Sequence, residues 1–417
     1  MRPLLLTLLL LGTTALSAKD SALLPPNARL AIIGDSITEQ KLYSKYMEAY
    51  VLACAGRKDI KVFQFGWSGE QASGFASRLE NDLGVFKPTV ATTCYGMNDG
   101  GYQPYNDSIG ARYEQYMRLS VEGMKKQGVQ NIVLGTPGAV DTKYFARTTA
   151  AIYNDNLSHL GDIDKKLAAE YKQSFANVHD TMVDAMTKAK AALGEDYDVC
   201  GRDGVHPGAN GHLLMAQAFL KGLGLDGDIG QITIDMAGGT TATGSHKVLS
   251  GKGGACEIES AAWPFCFDAD LKSSGSTRSI LAFSSFNQDL NRFTLIVKGL
   301  TKDKAKVTWG AATKEFTKAQ LEQGINLASE FAATTPFEAS FNKLLNALAT
   351  KQNMETLMIK NMITNFRSFT FLTKDDPEFA KAEEALKGKL VAKQAEMDVV
   401  VHDLVQPVKH KLTVTAE

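Results

Sequence analysis

Residues 28–40 read ARLAIIGDSITEQ. An apolar run ends abruptly at Gly34-Asp35-Ser36, and a segment of helical character follows. A short apolar run bounded by a turn signal fits a strand buried on both faces, and such strands belong to parallel sheets. The junction raises a question about Ser36: whether its hydroxyl only caps a helix or also does chemistry.

Working outward, the same texture repeats. Strand-like runs RLAIIG, KVFQFG, TVATTCYG, NIVLGTP and FANVHD alternate with helical segments such as KLYSKYMEAYVLACAGR, QASGFASRLENDLG and ARYEQYMRLSVEGMKKQG. Strands alternating with helices predict an α/β fold with a parallel sheet covered on both faces. Right-handed crossovers make it a flavodoxin-like doubly wound sheet, with functional residues gathered at the carboxyl ends of the strands. This domain is read over residues 28–225. Beyond it the chain becomes rich in Gly and Thr with short strand-like pieces, a small β-rich module over 226–333. Thr335-Pro336 then opens a C-terminal region, 334–417, read as helical, whose Met and Leu stripes are packing faces.

The first residues, MRPLLLTLLLLGTTALSAKD, carry an early Arg2, a short apolar run and small residues near Ser17 and Ala18. They predict a signal peptide over 1–18, and so a secreted or periplasmic protein. The apolar run is too short for a membrane span, and no later stretch is long enough. With 45 Lys+Arg against 46 Asp+Glu, the chain has no electrostatic footprint for nucleic acid and no polybasic membrane patch. Export permits disulfides. The cysteines are Cys54, Cys94, Cys200, Cys256 and Cys266, an odd number. Cys256 and Cys266 bracket a short loop and are expected to bridge it; Cys54 and Cys94 read as buried thiols, and Cys200 as a buried thiol or a bridge to its loop.

Four stretches fall where the fold places strand ends or the loop before the last helix of the domain: Gly34-Asp35-Ser36, GWSGEQASG (66–74), GMNDG (96–100) and DGVHPGANGH (203–212). Acyl transfer to water needs a hydroxyl nucleophile, a base of near-neutral pKa, a carboxylate to orient that base, and donors for an oxyanion. Ser36 supplies the hydroxyl, His206 the base and Asp203 the carboxylate. The Ser36 and Gly69 N–H groups and the Asn98 amide supply donors. Taken singly, each piece has a plainer reading: a helix cap, a glycine turn without the lysine of a phosphate loop, an Asn-Asp-Gly turn, a surface Asp–His pair. Their order and complementary roles support the joint reading. His206 and His212 lack the spacing of a metal motif, so neither metal nor cofactor is expected; His159, His179, His246, His402 and His410 read as structural or surface residues.

The set resembles the SGNH hydrolases, also called GDSL-type esterases and lipases. Gly34-Asp35-Ser36, Gly69, Gly96-Met97-Asn98-Asp99 and Asp203-Gly204-Val205-His206 match the family's blocks, with Ile37 where the motif has Leu. The resemblance implies Ser36 as nucleophile, His206 as base, Asp203 orienting it, and an oxyanion hole of Ser36, Gly69 and Asn98. It covers about half of the chain. The substrate expected is a small-molecule or glycan ester. Trp67, Tyr95, Tyr102 and Tyr105 flank the blocks and could face a sugar or an acyl chain, or simply pack. An O-acetyl ester of a carbohydrate is the leading reading. A longer-chain acylhydrolase or thioesterase, and an inactive glycan-binding protein, are the alternatives. Nothing in the sequence addresses oligomeric state.

Overall fold

The computed structural model describes residues 21–417. The signal peptide expected over 1–18 lies outside the described residues.

Strands β1 (Arg29–Gly34), β2 (Lys61–Gly66), β3 (Val90–Cys94), β4 (Asn131–Gly135) and β5 (Ser174–Ala176) form one parallel sheet in the order β2-β1-β3-β4-β5. Strand β1 is buried on both faces because its side chains alternate. Leu30 and Ile32 enter one core with Met47, Leu214 and Phe219. Ala31 and Ile33 enter the other with Leu79, Met117 and Val121. The layers that supply these residues are α1 (Ser36–Glu39), α2 (Tyr43–Ala49), α3 (Ala72–Gly84), α4 (Asp107–Lys126), α5 (Ala150–Glu170), α6 (Val178–Leu193) and α7 (Ala209–Gly222). The run FANVHD is strand only at its start, because the Asn177 side chain accepts the Asp180 N–H and caps α6. The chain leaves β1 for β2 on one side and reaches β3 on the other. Such a reversal opens a crevice at the carboxyl ends of the strands.

Two further sheets follow. One is ordered β13-β10-β6-β7, from β6 (Asp228–Asp235), β7 (Thr240–Ala242), β10 (Arg292–Lys298) and β13 (Ile325–Asn326). The other is antiparallel, ordered β12-β11-β14-β9-β8, from β8 (His246–Lys252), β9 (Ala255–Ser260), β11 (Lys304–Trp309), β12 (Ala312–Thr317) and β14 (Val408–Ala416). A buried chain of hydrogen bonds ties them. Trp309 Nε1–H donates to His410 Nδ1 at 3.1 Å, and His410 Nε2–H donates to Ser260 Oγ at 2.8 Å. The Ser260 hydroxyl then donates to His246 Nδ1 at 2.7 Å, and His246 Nε2–H to the Ile229 carbonyl at 2.8 Å. Burial pushes the pKa of His410 down to about 3, so it serves as a neutral link.

The C-terminal region contains two long helices, α8 (Glu338–Asn361) and α9 (Pro377–Leu404). Helix α8 lies against α2 and along β2, an edge strand of the first sheet. It satisfies that edge with side chains: Lys351 Nζ donates to the Val62 carbonyl at 2.6 Å, and Glu355 accepts the Gln64 N–H at 3.1 Å. An open strand edge is thereby closed without another strand.

Two expectations are corrected. The chain does not end in helix: β14 inserts between β11 and β9. Its alternation buries His410, Leu412 and Val414 and exposes Lys409, Lys411 and Thr413, the period of a strand rather than a helix. Nor do Cys256 and Cys266 bridge. Cys256 lies on β9, and the chain then leaves that sheet to bury Trp263, Phe265 and Phe267. That path carries Cys266 to Thr335, whose Oγ1 lies 3.1 Å from its Sγ.

Candidate active site

The turn after β1 answers the question about Ser36. Asp35 is the cap: its Oδ1 accepts the Ile37 N–H at 2.9 Å. Ser36 is therefore the first residue of α1, where its N–H has no acceptor within the helix and its hydroxyl is not engaged in capping. The close quarters demand glycine before it. A Cβ on Gly34 would sit 2.1 Å from Thr38 Oγ1 and 2.8 Å from the Cys94 carbonyl oxygen. Burial pushes the Asp35 carboxyl up to about 7 against the Ile37 hydrogen bond, and the nearby Asp99 and Glu70 add to the rise.

The loop before α7 brings the other members. Ser36 Oγ lies 2.9 Å from His206 Nε2, and His206 Nδ1 lies 2.6 Å from Asp203 Oδ2. Asp203 Oδ1 also accepts the N–H groups of Val205 and His206, both at 2.9 Å. The carboxylate accepts the Nδ1–H, so Nε2 is left with its lone pair and the Ser36 hydroxyl donates to it. Burial works to raise the Asp203 carboxyl. The N–H groups of His206 and Val205 and the imidazole outweigh it and hold the carboxyl below its ordinary value. The loop is pinned from outside, with the Asp141 N–H donating to the Gly204 carbonyl at 2.9 Å.

The donors come from the turns after β2 and β3. Gly69 has φ +73°, in the left-handed region that a side chain disfavours. Asn98 Nδ2 donates to the Glu70 carbonyl at 3.1 Å, and the Tyr102 hydroxyl donates to Asn98 Oδ1 at 2.9 Å. Gln71 Nε2 reaches the Asn98 carbonyl at 2.9 Å. Asp99 joins the two turns, accepting the Ala72 N–H at 2.9 Å and the Gly96 N–H at 3.0 Å. Burial pushes its carboxyl up to about 6 despite those bonds. Beneath Gly69, Glu70 pairs with Arg78 Nε at 2.7 Å and accepts the Tyr95 hydroxyl at 2.6 Å.

All five residues expected at the site, Ser36, Gly69, Asn98, Asp203 and His206, thus come from loops at the same end of the first sheet. The four flanking aromatics divide. Tyr95 is fully buried in the Glu70–Arg78 pair, and Tyr105 stacks on His159 with ring centroids 4.2 Å apart. Trp67 lies between Arg78 and Lys360, each cation 4.9 Å from its ring. Tyr102 hydrogen-bonds a predicted site residue, Asn98. Beside Gly69 a cavity of about 390 Å³ is lined by Trp67, Gln71, Arg78 and, from the C-terminal region, Arg367. His212 faces away from metal chemistry: Nδ1 accepts the Tyr43 N–H at 3.2 Å, Nε2 bonds Gln40 at 2.9 Å, and burial lowers its pKa to about 3.

Sequence reasoning missed the capping role of Asp35, the tie through Asp99, the Glu70–Arg78 support and the Tyr102 contact. Asp35 and Asp99 stand inside the quoted motifs, where a buried acid beside a turn was a usable signal. The Tyr102 contact depends on a left-handed backbone and had none.

The sequence profile of the GDSL-like Lipase/Acylhydrolase family matches residues 32–214, a span that holds all five site residues. Residues 32–214 form an SGNH hydrolase domain of the GDSL type. The acetylxylan esterase of Geobacillus stearothermophilus is 25% identical to this chain over 219 residues, covering 48% of this chain and 94% of that protein. A crystal structure of that esterase covers 48% of this chain and 96% of its own, at 24% identity and a TM-score of 0.40. A solved structure described as a gut microbial diltiazem-metabolizing enzyme covers 94% of this chain and 98% of its own, at 20% identity and a TM-score of 0.69. The last match shows that the whole architecture, appended sheets and helices included, recurs as a unit. The acylhydrolase domain and the esterase relative make this protein a carboxylic ester hydrolase.

Proposed function

We propose that the protein removes O-acetyl groups from a carbohydrate through an acyl-enzyme on Ser36, and that it does so after export. The observation that carries the mechanism is the continuous chain Ser36–His206–Asp203, at 2.9 and 2.6 Å. As the Ser36 oxygen attacks the ester carbonyl, His206 Nε2 takes its proton, and Asp203 holds the ring in that tautomer. The carbonyl oxygen gains charge beside the N–H groups of Ser36 and Gly69 and the free Asn98 N–H, donors worth about a hundredfold or more each. Collapse expels the alcohol, which takes the proton from His206. Water then attacks the acyl-Ser36 ester by the same route and releases the acid.

The choice of acetyl and sugar is supported by the acetylxylan esterase relative, and export by the leader-like composition of residues 1–18. The test is acetate release from a panel of acetylated glycans beside a chain-length series of nitrophenyl esters. Acetyl is expected to be turned over fastest, and Ser36→Ala is expected to abolish hydrolysis while melting like the wild type. Rates that rise with chain length would replace this reading with a longer-chain acylhydrolase. Near-normal turnover by Ser36→Ala would refute the mechanism. Export is checked by sequencing the N-terminus of protein recovered outside the cytoplasm. An uncleaved chain confined to the cytoplasm counts against it.

A further inference from the structure

We infer that Tyr102 is a positioning residue of the oxyanion hole, holding the Asn98 amide in the orientation that can donate to substrate. The inference rests on the reading of Asn98 as an oxyanion donor. An asparagine amide has nearly the same shape when flipped, but a flipped amide would present its oxygen to the developing oxyanion and repel it. Two contacts set the orientation here. The Glu70 carbonyl, 3.1 Å away, can only accept, so Nδ2 must face it. The Tyr102 hydroxyl, 2.9 Å from Oδ1, then donates to the amide oxygen. One N–H of Nδ2 is used by Glu70, and the other remains for the substrate.

The way Tyr102 is held points to the same role. Its φ is +57°, directly after Gly101 at +66°, and a bulky residue in the left-handed region is an outlier that its surroundings must enforce. Thr149 Oγ1 donates to the Tyr102 carbonyl at 2.8 Å. The ring stacks on Tyr153, centroids 5.2 Å apart, and packs against Phe145 at 5.8 Å. The Arg147 guanidinium lies 4.4 Å from its centroid. Tyr153 in turn donates its hydroxyl to the Met97 carbonyl at 2.6 Å. One aromatic cluster therefore grips both the backbone just before Asn98 and the end of its side chain. Burial raises the Tyr102 hydroxyl pKa, which keeps the group protonated as a donor.

The experiment is a double-mutant cycle on nitrophenyl acetate. Tyr102→Phe keeps the ring and its stacking, so its melting temperature should match the wild type. Its kcat should fall about tenfold with KM nearly unchanged, short of the ~hundredfold loss expected for Asn98→Ala. In the Asn98→Ala background, Tyr102→Phe should change nothing further. A tetrahedral adduct of phenylboronic acid should weaken in Tyr102→Phe along with kcat. The inference is overturned if Tyr102→Phe retains wild-type kcat while Asn98→Ala is slow, or if it costs the same factor in both backgrounds. Should Asn98→Ala lose nothing, the oxyanion reading of Asn98 fails and takes this one with it.

Discussion

Asp203 departs from the usual form of an orienting carboxylate. Its side chain is 56% exposed and that of His206 37%, so solvent screens the attraction between carboxylate and imidazolium. What remains is geometric: Oδ1 is anchored by two N–H groups and Oδ2 aims the ring. Asp203→Ala should therefore lower kcat about a hundredfold, well short of the ~10⁴ typical of a buried orienting acid. A loss as large as 10⁴, measured on nitrophenyl acetate, would mean that the field of the carboxylate matters after all. At this scale much of the site is legible along the chain, because Ser, Gly, Asn and the Asp–His pair stand in motifs at strand ends. The division of labour in Asp35-Ser36 is not legible, since either side chain can cap a helix. The tertiary structure decides it: Asp35 accepts the Ile37 N–H, and the Ser36 hydroxyl is taken up by His206 from 170 positions away.

Among the elements, α8 carries the largest surprise. Its periodicity predicts a packing face, and Phe341, Leu344 and Leu348 supply one. The same face then continues as Lys351, Gln352 and Glu355, all fully or nearly fully buried, where an apolar stripe is expected. Lys351 lies 2.7 Å from Glu48, 3.0 Å from Glu355 and 3.2 Å from Asp398 of α9. Burial raises the Glu48 and Glu355 carboxyls, with Lys351 opposing the rise. Removing Lys351 leaves Glu48, Glu355 and Asp398 facing each other in the core without the ammonium they share. Lys351→Ala should cost about 3–5 kcal/mol at pH 8. A carboxyl whose folded pKa is raised contributes stability that is fully present below its ordinary pKa near 4 and lost as pH rises through the raised value. The penalty in Lys351→Ala should therefore shrink at pH 5, below the value of about 7 to which burial pushes the Glu48 carboxyl. Thermal unfolding of wild type and variant at both values checks this, and an equal penalty at the two would contradict it.

For the molecule as a whole, the C-terminal half is part of the hydrolase fold's own packing. It closes the β2 edge, buries Glu48 of α2 and brings Arg367 to the cavity beside Gly69. A chain ending at Leu225 would expose that edge and leave Glu48 without its cation. Such a truncation is expected to lose cooperative unfolding and near-ultraviolet ellipticity; a sharp melt with unchanged kinetics on nitrophenyl acetate would show that the first domain stands alone. The match over 94% of the chain to a solved structure accords with a conjoined architecture. The parallel sheet, its approximate strands and the site motifs could be read from residues 28–225 because each depends on neighbours within a few positions: alternation along a strand, a turn, a cap. The closing of the sheet edge, the β14 insertion and the grip of Tyr102 on Asn98 could not. Lys351 meets Glu48 across 303 positions, and a pairing at that distance leaves no local period to read. It exists only once burial makes an unpaired charge too costly to leave.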